Sequence, residues 1–394
     1  MTLTYEKLIE FDLEKNLKEK LIEQKKYDQL TEFLETFFEI VSVDQFIRDL
    51  PSFPYATEKI IRSEMVRAIG STLAIEGIAL DEEEIKKSFE KTDSKGSFEV
   101  EGLASTNSRN VYKYIIDVVN NYDGEFVYAE EHIKNIHKYF TENIDYPGNV
   151  PGEYYRDVNP IFGEPPKRSF CKTKANVEVG ISKLINWLNK PNPGLVGGNI
   201  IAKAMMAHYY LTEIHPFGDA NGRVARALEA LVLYVNHINP YCFWSLSNFW
   251  SSNRVKYIQH LHDIRSTCEP WEFLMWGIKG YLREIIKIKA LVLKKIKQLM
   301  FMDYARYLWR DKPRRTSKRF MIALELLVQF GRIPLNKFYS SPEIKALYHS
   351  VSPPTKTRDF NKMKKENLIN IATENDEKFI EPNFGILEKL QYKT

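Results

Sequence analysis

Apolar residues recur at three- and four-residue spacing along most of the chain, which is the pattern of amphipathic helices. The pattern runs from Tyr5 to Phe38 and returns eight more times, over 57–90, 104–121, 130–141, 175–189, 196–214, 222–236, 250–264 and 271–300. It is interrupted at 145–174, where Pro and Gly separate short aromatic pairs, so a loop or a short hairpin is expected there. The sequence therefore predicts a mainly α protein.

A different order of elements is predicted near the C-terminal end. The charged, Pro-containing stretch 311–319 is typical of a linker, and an apolar helix, Phe320–Phe330, follows it. A second helix is expected after Ser341 and a third after Pro354, and the segment 368–383 reads as two short strands around a polar turn. Three helices followed by a hairpin is the order of a winged-helix unit.

Composition narrows the class of protein. In 394 residues, 44% are hydrophobic and 27% are charged, which supplies enough apolar material for buried cores and excludes a wholly disordered chain. No apolar run approaches the roughly 18 residues that a membrane span needs, and the first twenty residues are too charged for a secretory signal. We expect a globular cytoplasmic protein with no membrane partner.

The net charge of +4 hides an asymmetry along the chain. Residues 283–394 contain 24 Lys and Arg against 12 Asp and Glu, whereas residues 1–282 contain 32 against 40. Much of the basic excess lies in 283–319, which contains 13 basic and 3 acidic residues. A basic region behind an acidic body indicates either an anionic partner such as nucleic acid or Lys-rich helices with a solvated face.

The segment most informative about chemistry is the polar loop that begins at His215 and runs into a predicted helix. The start of a helix is an anion site, because its first N–H groups lack partners and the helix dipole is positive there. Gly222 allows a phosphate to approach the backbone, and Asn221 can donate from its side-chain amide. Arg223 and Arg226 are three residues apart, so both guanidinium groups share one helix face.

Two further residues complete a set of groups for phosphoryl or nucleotidyl transfer. Asp219 offers a carboxylate oxygen to Mg²⁺, which needs few protein ligands when it also binds phosphates. His215 titrates near neutrality and can take a proton from an attacking hydroxyl. A phosphate site, a metal carboxylate and a base serve either AMP transfer or a kinase-like transfer of the terminal phosphate, and the residues alone leave both open.

The loop resembles the signature of the Fic (filamentation induced by cAMP) family, HPFx[D/E]GNGRxxR. The eight matching positions are His215, Pro216, Phe217, Asp219, Asn221, Gly222, Arg223 and Arg226. Ala220 replaces the usual glycine, at a cost if that position needs a positive φ, and we expect the replacement to be tolerated. The resemblance covers roughly 55–285 and implies a helical bundle with a hairpin flap, which transfers AMP from ATP, with Mg²⁺, to a Ser, Thr or Tyr hydroxyl of a protein.

The resemblance also assigns roles to the residues of the loop. His215 is the expected general base and Asp219 the Mg²⁺ ligand. Asn221 and Gly222 are expected to form the anion site, and Arg223 and Arg226 to bind the β- and γ-phosphates of ATP.

An upstream segment is similar to the family's inhibitory motif, [S/T]xxxE[G/N]. Thr72, Glu76 and Gly77 occupy its specified positions. A carboxylate at Glu76 that pairs with Arg226 would occupy the guanidinium meant for the γ-phosphate, so ATP would bind misaligned for attack. We therefore expect autoinhibition. The same carboxylate could position water against an AMP–protein bond, and the sequence leaves de-AMPylation open.

Two more segments match family features. Gly152 and Arg156 resemble the G-x-x-R that leads into the flap, predicted here at 157–171, whose edge would dock a protein target. In this chain Pro165 and Pro166 precede Phe170, so the residue that holds the target is not assigned. Asn253 and Tyr257, four residues apart on one helix, match the nucleoside-side helix, whereas His208 is interpreted as a core residue.

The predicted domains are an N-terminal helical region with the inhibitory helix at 1–100, a Fic core at 101–285, a basic helix and linker at 286–319 and a winged-helix-like domain at 320–394. Self-modification and homodimer formation are left open. The C-terminal domain also supports an alternative, a DNA-binding regulator with an accessory Fic domain. This is the less favoured interpretation, because Asp359 and Glu366 offset the basic residues of the third helix and leave 355–383 near neutral.

Overall fold

A computed structural model of the protein describes residues 27–49, 54–90, 100–146, 149–155, 173–190, 196–238, 245–267, 269–311 and 314–390. The described part is mainly helical and carries one small sheet. Contacts divide the chain into two compact units, residues 1–289 and 290–394. The predicted flap at 157–171, Arg156 and residues 5–26 of the first predicted helix lie outside the described residues.

The described part of the first unit is helical. In chain order its helices are α1 Tyr27–Asp49, α2 Pro54–Ile75, α3 Glu82–Glu90, α4 Val100–Asn120, α5 Glu130–Thr141, α6 Lys174–Leu188, α7 Val196–Ile214, α8 Asn221–Val235, α9 Ser245–Ser252, α10 Arg254–Thr267 and the first half of α11 Trp271–Trp309. Helix α5 covers the predicted 130–141 and α7 the predicted 196–214, so the helical periodicity is confirmed there.

Two predicted helices are divided in the structure. The periodic stretch 57–90 becomes α2 and α3, because α2 ends at Ile75 and Gly77 adopts a φ of 87°. A glycine in the left-handed region is a common way to end a helix. The stretch around 250–264 becomes α9 and α10, which meet at Asn253. Both breaks fall beside residues predicted to act at the site.

Helices α7 and α8 form the centre of the first unit. Most of their described side chains are buried, including Tyr209, Tyr210 and Leu231. A helix that is apolar on all sides belongs in the interior, since it has no face to present to water. Helix α8 also contacts α4 and α5, and α2 packs on α9. The loop that joins α7 to α8 is therefore held between two buried helices.

The second unit contains the C-terminal half of α11 and a small α/β arrangement. Its elements are α12 Arg314–Phe330, β1 Ile333–Pro334, α13 Leu335–Ser340, α14 Pro342–Tyr348, α15 Pro353–Lys365, β2 Ile369–Glu374, β3 Glu377–Pro382 and α16 Ile386–Leu390. The strands are antiparallel in the order β1-β3-β2, and Ile371 pairs with Ile380. Positive φ angles at Asn375 and Asp376 form the tight turn of the β2–β3 hairpin.

The second unit confirms the predicted helices and hairpin and corrects their bounds. Helix α12 begins at Arg314, so most of the predicted linker 311–319 is helical. Arg and Lys are good helix formers, and Phe320 is fully buried, which anchors this turn to the core. Strand β1 and helix α13 are absent from the sequence prediction. They are too short to leave a periodic signal.

Among the described residues, none of the helices combines the length and the apolar character needed to cross a bilayer.

Candidate active site

The loop between α7 and α8 is bounded by two residues in the left-handed region. His215 follows the end of α7 with a φ of 50°, and Ala220 precedes α8 with a φ of 61°. Neither is glycine, so each carries a conformational cost of roughly 1–2 kcal/mol. Backbone strain of this kind occurs at functional sites, where the surrounding structure holds it in place. The positive φ at Ala220 is the condition under which the sequence predicted a cost for replacing glycine.

The Asn221 side chain makes two hydrogen bonds to the backbone of this loop. Its side-chain amide donates to the Phe217 carbonyl at 2.7 Å, and its Oδ1 accepts from the Phe217 N–H at 2.9 Å. The sequence predicted that the amide donates to a phosphate, and the structure instead commits it to the loop backbone. Asn221 therefore fixes the path of the chain into α8.

The loop is also held by the segment that leads toward the predicted flap. Phe217 is fully buried and stacks on His137 of α5, with ring centroids 3.8 Å apart and planes within 4°. His137 accepts from the Gly152 N–H at Nδ1, at 3.0 Å, and its Nε2 contacts Asn149 Oδ1 at 3.1 Å. The Tyr155 N–H donates to the Pro216 carbonyl at 3.2 Å. Residues 149–155 thus lie against the catalytic loop.

Arg226 and the end of α2 meet at the entrance to α8. The Arg226 Nε–H donates to Thr72 Oγ1 at 2.8 Å, and Nη2 donates to the Thr72 carbonyl at 3.1 Å and to Glu76 Oε1 at 2.7 Å. The Arg226 side chain is 1% exposed and that of Glu76 is 36% exposed. The structure therefore brings together Thr72, Glu76 and Arg226, three residues that the sequence singled out from positions about 150 residues apart.

Gly222 provides the space that the Glu76 carboxylate occupies. A Cβ placed on Gly222 would lie 2.5 Å from Glu76 Oε1 and 3.2 Å from Arg226 Nη1, closer than real side chains approach. An anionic group thus already lies beside the first turn of α8, where helix geometry favours negative charge. Glu76 stands in the place that the sequence assigned to a phosphate.

The charges around Glu76 keep it ionised. Burial on its own would raise the pKa of this carboxyl, but Arg226, followed by Arg223 and Arg254, outweighs burial and holds the pKa below its ordinary value. An ionised carboxylate makes a stronger hydrogen bond to a guanidinium than a neutral acid does. The pair with Arg226 is therefore fully formed at neutral pH.

Asp219 is the residue that could bind a metal ion here. Its carboxylate is 30% exposed, and Oδ2 accepts from Arg223 Nη2 at 2.8 Å. In the part of the chain that the structure describes, no group of three or more His, Cys, Asp or Glu is arranged around a metal position. One accessible carboxylate fits Mg²⁺, which retains water and binds phosphate oxygens, better than it fits a metal that needs several protein ligands.

His215 is held in its neutral form by its surroundings. It is buried at the end of α7, and burial, with a further contribution from Arg265, lowers the pKa of its imidazole to about 4. Below that value the ring is protonated, and above it the ring is neutral. At neutral pH the imidazole is therefore in the form that a general base requires.

The two residues predicted to face the nucleoside make hydrogen bonds within the protein. The Asn253 amide donates to the Phe249 carbonyl at 2.9 Å, where α9 ends. Tyr257 is buried, and its hydroxyl contacts His208 Nε2 at 2.8 Å. His208 is a core residue as predicted, being fully buried, and its Nδ1 contacts Glu229 at 2.8 Å. Both predicted nucleoside contacts are thus engaged within the protein.

Sequence reasoning missed two arginines beside the site. Arg254 donates from Nε to the Ile75 carbonyl at 2.8 Å, at the end of α2. Arg265 pairs with Glu213, two residues before His215, and its Nη2 lies 2.6 Å from Glu213 Oε1. Neither belongs to a local motif. The available signal was weak: Arg254 adjoins Asn253, and Glu213 is a charge within an otherwise apolar helix end.

Comparison with known proteins agrees with this geometry. Residues 127–233 match the model of the Fic/DOC family. These residues form a Fic/DOC domain. A probable protein adenylyltransferase of Aquifex aeolicus is 31% identical over 123 residues, which cover 31% of this chain and 33% of the relative. The match thus spans about a third of that relative's length.

Two solved structures share the fold of the chain. A Fic family protein from Desulfovibrio desulfuricans superposes with a TM-score of 0.56 at 17% identity, covering 89% of this chain and 95% of the other. Fic-1 from C. elegans gives 0.50 at 19% identity, with 69% and 73% covered. At these identities the likeness establishes the fold.

Proposed function

We propose that the chain is a Fic-type AMP-transferase that restrains itself through Glu76. The carrying observation is the contact of Arg226 Nη2 with Glu76 Oε1 at 2.7 Å, directly above Gly222. The Fic/DOC domain and the adenylyltransferase-named relative support the reaction class. The substrates on this proposal are ATP and a hydroxyl of a protein target that docks at the flap, predicted at 157–171.

In the proposed reaction the target hydroxyl attacks the α-phosphorus of ATP. The new bond joins the target oxygen to AMP, the bond from the α-phosphorus to the bridging oxygen breaks, and pyrophosphate leaves. His215, neutral at physiological pH, accepts the hydroxyl proton. Mg²⁺ bound at Asp219 would neutralise charge on the phosphates. Arg223 and Arg226 would hold the β- and γ-phosphates, with the first turn of α8 around Gly222 beside them.

Autoinhibition follows from competition for one position. As long as Glu76 lies over Gly222 and pairs with Arg226, the terminal phosphate of ATP cannot take that place. Correct placement supplies most of the rate in this chemistry, so displaced phosphates leave the α-phosphorus out of line with the hydroxyl. Withdrawal of Glu76 would release the arginine and the anion site together.

The test is intact-mass analysis after incubation with ATP and Mg²⁺. We expect Glu76→Gly to gain about 329 Da, the mass of one AMP group, on itself or on an added protein target. The wild type and Glu76→Gly/His215→Ala are the matched controls: the double variant should remain unmodified, and the wild type should gain AMP much more slowly than Glu76→Gly. An increment of about 80 Da would instead identify a kinase-like transfer. De-AMPylation would be identified if the wild type removes AMP from a pre-modified target and Glu76→Gly does not.

A second candidate function is nucleic-acid binding by the C-terminal unit. It is favoured by the pairing of Asp359 and Glu366 with other side chains of the unit. Asp359 is buried and accepts from Arg319 Nε at 2.8 Å, and Glu366 accepts from Trp309 Nε1. Two of the six acids that make 355–383 near neutral are therefore paired within the unit, whereas Glu374, Asp376 and Glu377 of the hairpin are exposed. After the two exposed prolines of its first turn, the exposed side chains of α15 are polar or basic, namely Thr357, Arg358, Asn361, Lys364 and Lys365.

This candidate is tested on the full chain with a labelled DNA duplex. We expect binding that weakens steeply with salt, and a shallower salt dependence in Arg358→Ala/Lys364→Ala/Lys365→Ala. Lys337→Ala/Lys345→Ala removes exposed lysines from other helices of the unit and is the matched control. No binding at low salt, or equal loss in both variants, would exclude α15 as a DNA-binding surface.

A further inference from the structure

Helix α2 ends in a cap that contains Glu76. The Gly77 N–H donates to the Ala74 carbonyl at 3.1 Å, and the Ile78 N–H donates to the Leu73 carbonyl at 3.0 Å. Gly77 adopts a φ of 87°, in the left-handed region. Two such bonds closed by a left-handed residue form a Schellman motif, in which Glu76 occupies the C-cap position just before the glycine. The position of the Glu76 carboxylate therefore depends on this cap.

The body of α2 is held independently of the cap. Val66 and Ile69 are buried, with exposures of 2% and 0%. Arg67 Nη2 donates to Glu284 Oε2 on α11 at 2.8 Å, and α2 also packs on α9. Movement of the whole helix away from the site would return these apolar side chains to water, which is unfavourable.

Burial along α2 ends at Ile75. This residue is 5% exposed, and its carbonyl accepts from Arg254 Nε at 2.8 Å, whereas Glu76 and Gly77 are exposed. The carboxylate that lies over Gly222 thus belongs to the exposed turn and not to the buried helix. Its withdrawal requires the turn to open and leaves the buried part of α2 in place.

Gly77 is required for the conformation of the cap and not for space. A Cβ placed on Gly77 would meet no atom of the described residues within 4 Å, its chain neighbours aside. At Gly222, in contrast, a Cβ would lie 2.5 Å from Glu76 Oε1. Residues with a side chain favour negative φ, and a negative φ at position 77 takes the chain off the path on which both cap bonds form. A side chain at 77 therefore acts on Glu76 through the backbone.

The cap also places the Glu76 carboxylate at an unfavourable end of its own helix. The last carbonyls of a helix carry partial negative charge, which repels an anion at the C-cap. The contact of Glu76 Oε1 with Arg226 Nη2, at 2.7 Å, offsets this repulsion. The closed cap and the pair with Arg226 therefore support each other.

We propose that Gly77 is a positioning residue for Glu76: its left-handed conformation closes the cap that keeps the carboxylate over Gly222, and restraint is relieved when this turn opens while α2 stays in place. The inference rests on the proposed autoinhibition by Glu76. The closed and open caps are two states of one turn. A change at position 77 that costs free energy in the closed state alone shifts the balance toward the open state.

The test compares two glycines that have the same backbone angle. Gly124, in the connection between α4 and α5, also has a φ of 87° and open surroundings among the described residues. Gly77→Ala and Gly124→Ala therefore introduce similar strain. We expect the initial rate of AMP transfer by the full chain to rise about fivefold in Gly77→Ala, the equivalent of about 1 kcal/mol. Gly124→Ala should stay within about twofold of the wild type.

Two further variants separate positioning from a general loss of stability. Gly77→Asn introduces a side chain that tolerates the left-handed region, so the rate should rise less than about twofold. Adding Gly77→Ala to Glu76→Gly should leave the rate of Glu76→Gly unchanged, because no carboxylate remains to be positioned. A substitution that merely loosened the fold would lower the rate in both backgrounds.

Amide hydrogen exchange follows the turn itself and needs no target protein. We expect the Ile78 amide, which donates to the Leu73 carbonyl, to exchange about fivefold faster in Gly77→Ala than in the wild type. The amide of Ile69, in the buried part of α2, should exchange at the same rate in both proteins. Gly124→Ala should match the wild type at both amides.

Equal rates of AMP transfer in Gly77→Ala and Gly124→Ala would overturn the inference. Faster exchange at Ile69 together with Ile78 would also overturn it, since the helix would then move as a whole. Failure of the proposed function has a different signature: Glu76→Gly would transfer AMP no faster than the wild type, while the exchange comparison would still show whether Gly77 holds the turn.

Discussion

The loop 215–220 and the turn after α2 lie against each other, but buried contacts hold the loop whereas a partly exposed side chain holds the turn. The loop 215–220 is tied by buried contacts: the two Asn221 bonds to Phe217, the stack on His137 and the Tyr155 bond to Pro216. The turn after α2 reaches the site through Glu76, which is 36% exposed, and is held by Arg226 and Arg254. This difference is what the proposed function requires, a preformed site restrained by a group that can be withdrawn.

The largest effect on AMP transfer should come from loosening the loop 215–220. In the Glu76→Gly background, Asn221→Ala removes both bonds to the Phe217 backbone, and we expect AMP transfer to fall by about 10²- to 10³-fold, because misplacement by roughly 1 Å is enough to do so. Initial rates measure the effect, and near-wild-type circular dichroism confirms folding. A loss below fivefold would contradict the account of a loop fixed by Asn221.

The next largest effect on AMP transfer should come from the turn after α2. Arg254→Ala deletes the bond from Nε to the last carbonyl of α2, and we expect basal transfer by the otherwise wild-type chain to rise about five- to tenfold. The rise should stay below that of Glu76→Gly, because Arg226 still pairs with the carboxylate. Lys256→Ala, which removes an exposed cation from the same helix, is the control. Equal rates in Arg254→Ala and wild type would show that α2 is held without this bond.

A substitution at Ala220 measures the backbone strain in the loop 215–220. Its φ of 61° suits glycine, so Ala220→Gly should stabilise the protein by about 1 kcal/mol, or about fivefold in the unfolding equilibrium. Urea unfolding monitored by fluorescence gives the value. Gly70→Ala is unsuitable as a control, because a Cβ there would lie 3.0 Å from Ile85. A destabilised Ala220→Gly would mean that the loop gains more from the methyl group than it loses in strain.

The smallest expected effect is on the pH dependence of transfer. The lowered pKa of His215, about 4, keeps the imidazole neutral at and above pH 6, whereas an ordinary histidine would be half protonated near pH 6.5. The rate of Glu76→Gly should therefore be flat from pH 8 to pH 6 and fall only as the pH approaches 4. A twofold fall centred on pH 6.5 would show that the site opens to solvent when Glu76 is absent.

The sequence predicted the helices and the motifs of the candidate site, since both depend on local information. The eight-residue signature and the Thr72–Gly77 motif identified residues that the structure brings together. The role of Asn221 was not predicted, because its bonds to Phe217 depend on how the loop closes. Tyr257 was assigned from its spacing, which places it on the correct helix but carries no information about His208, 49 residues away.

The charge count could not anticipate where individual charges lie. Asp359 and Glu366 were counted against the basic residues in making 355–383 near neutral, although Asp359 is buried against Arg319 and Glu366 accepts from Trp309. Composition counts every charge equally, whereas a partner sees only those at the surface. Burial is set by packing between elements, and a linear pattern of charges does not encode it.

The absence of a side chain at Gly222 limits which substitutions the protein can accept during evolution. Carboxylate and phosphate need the same empty volume above this residue, so any side chain that excludes the inhibitor also excludes the substrate. No substitution at 222 separates restraint from activity. On the proposed function, variants that escape control while remaining active are expected at residues that hold the end of α2 in place, among them Thr72, Glu76 and Arg254.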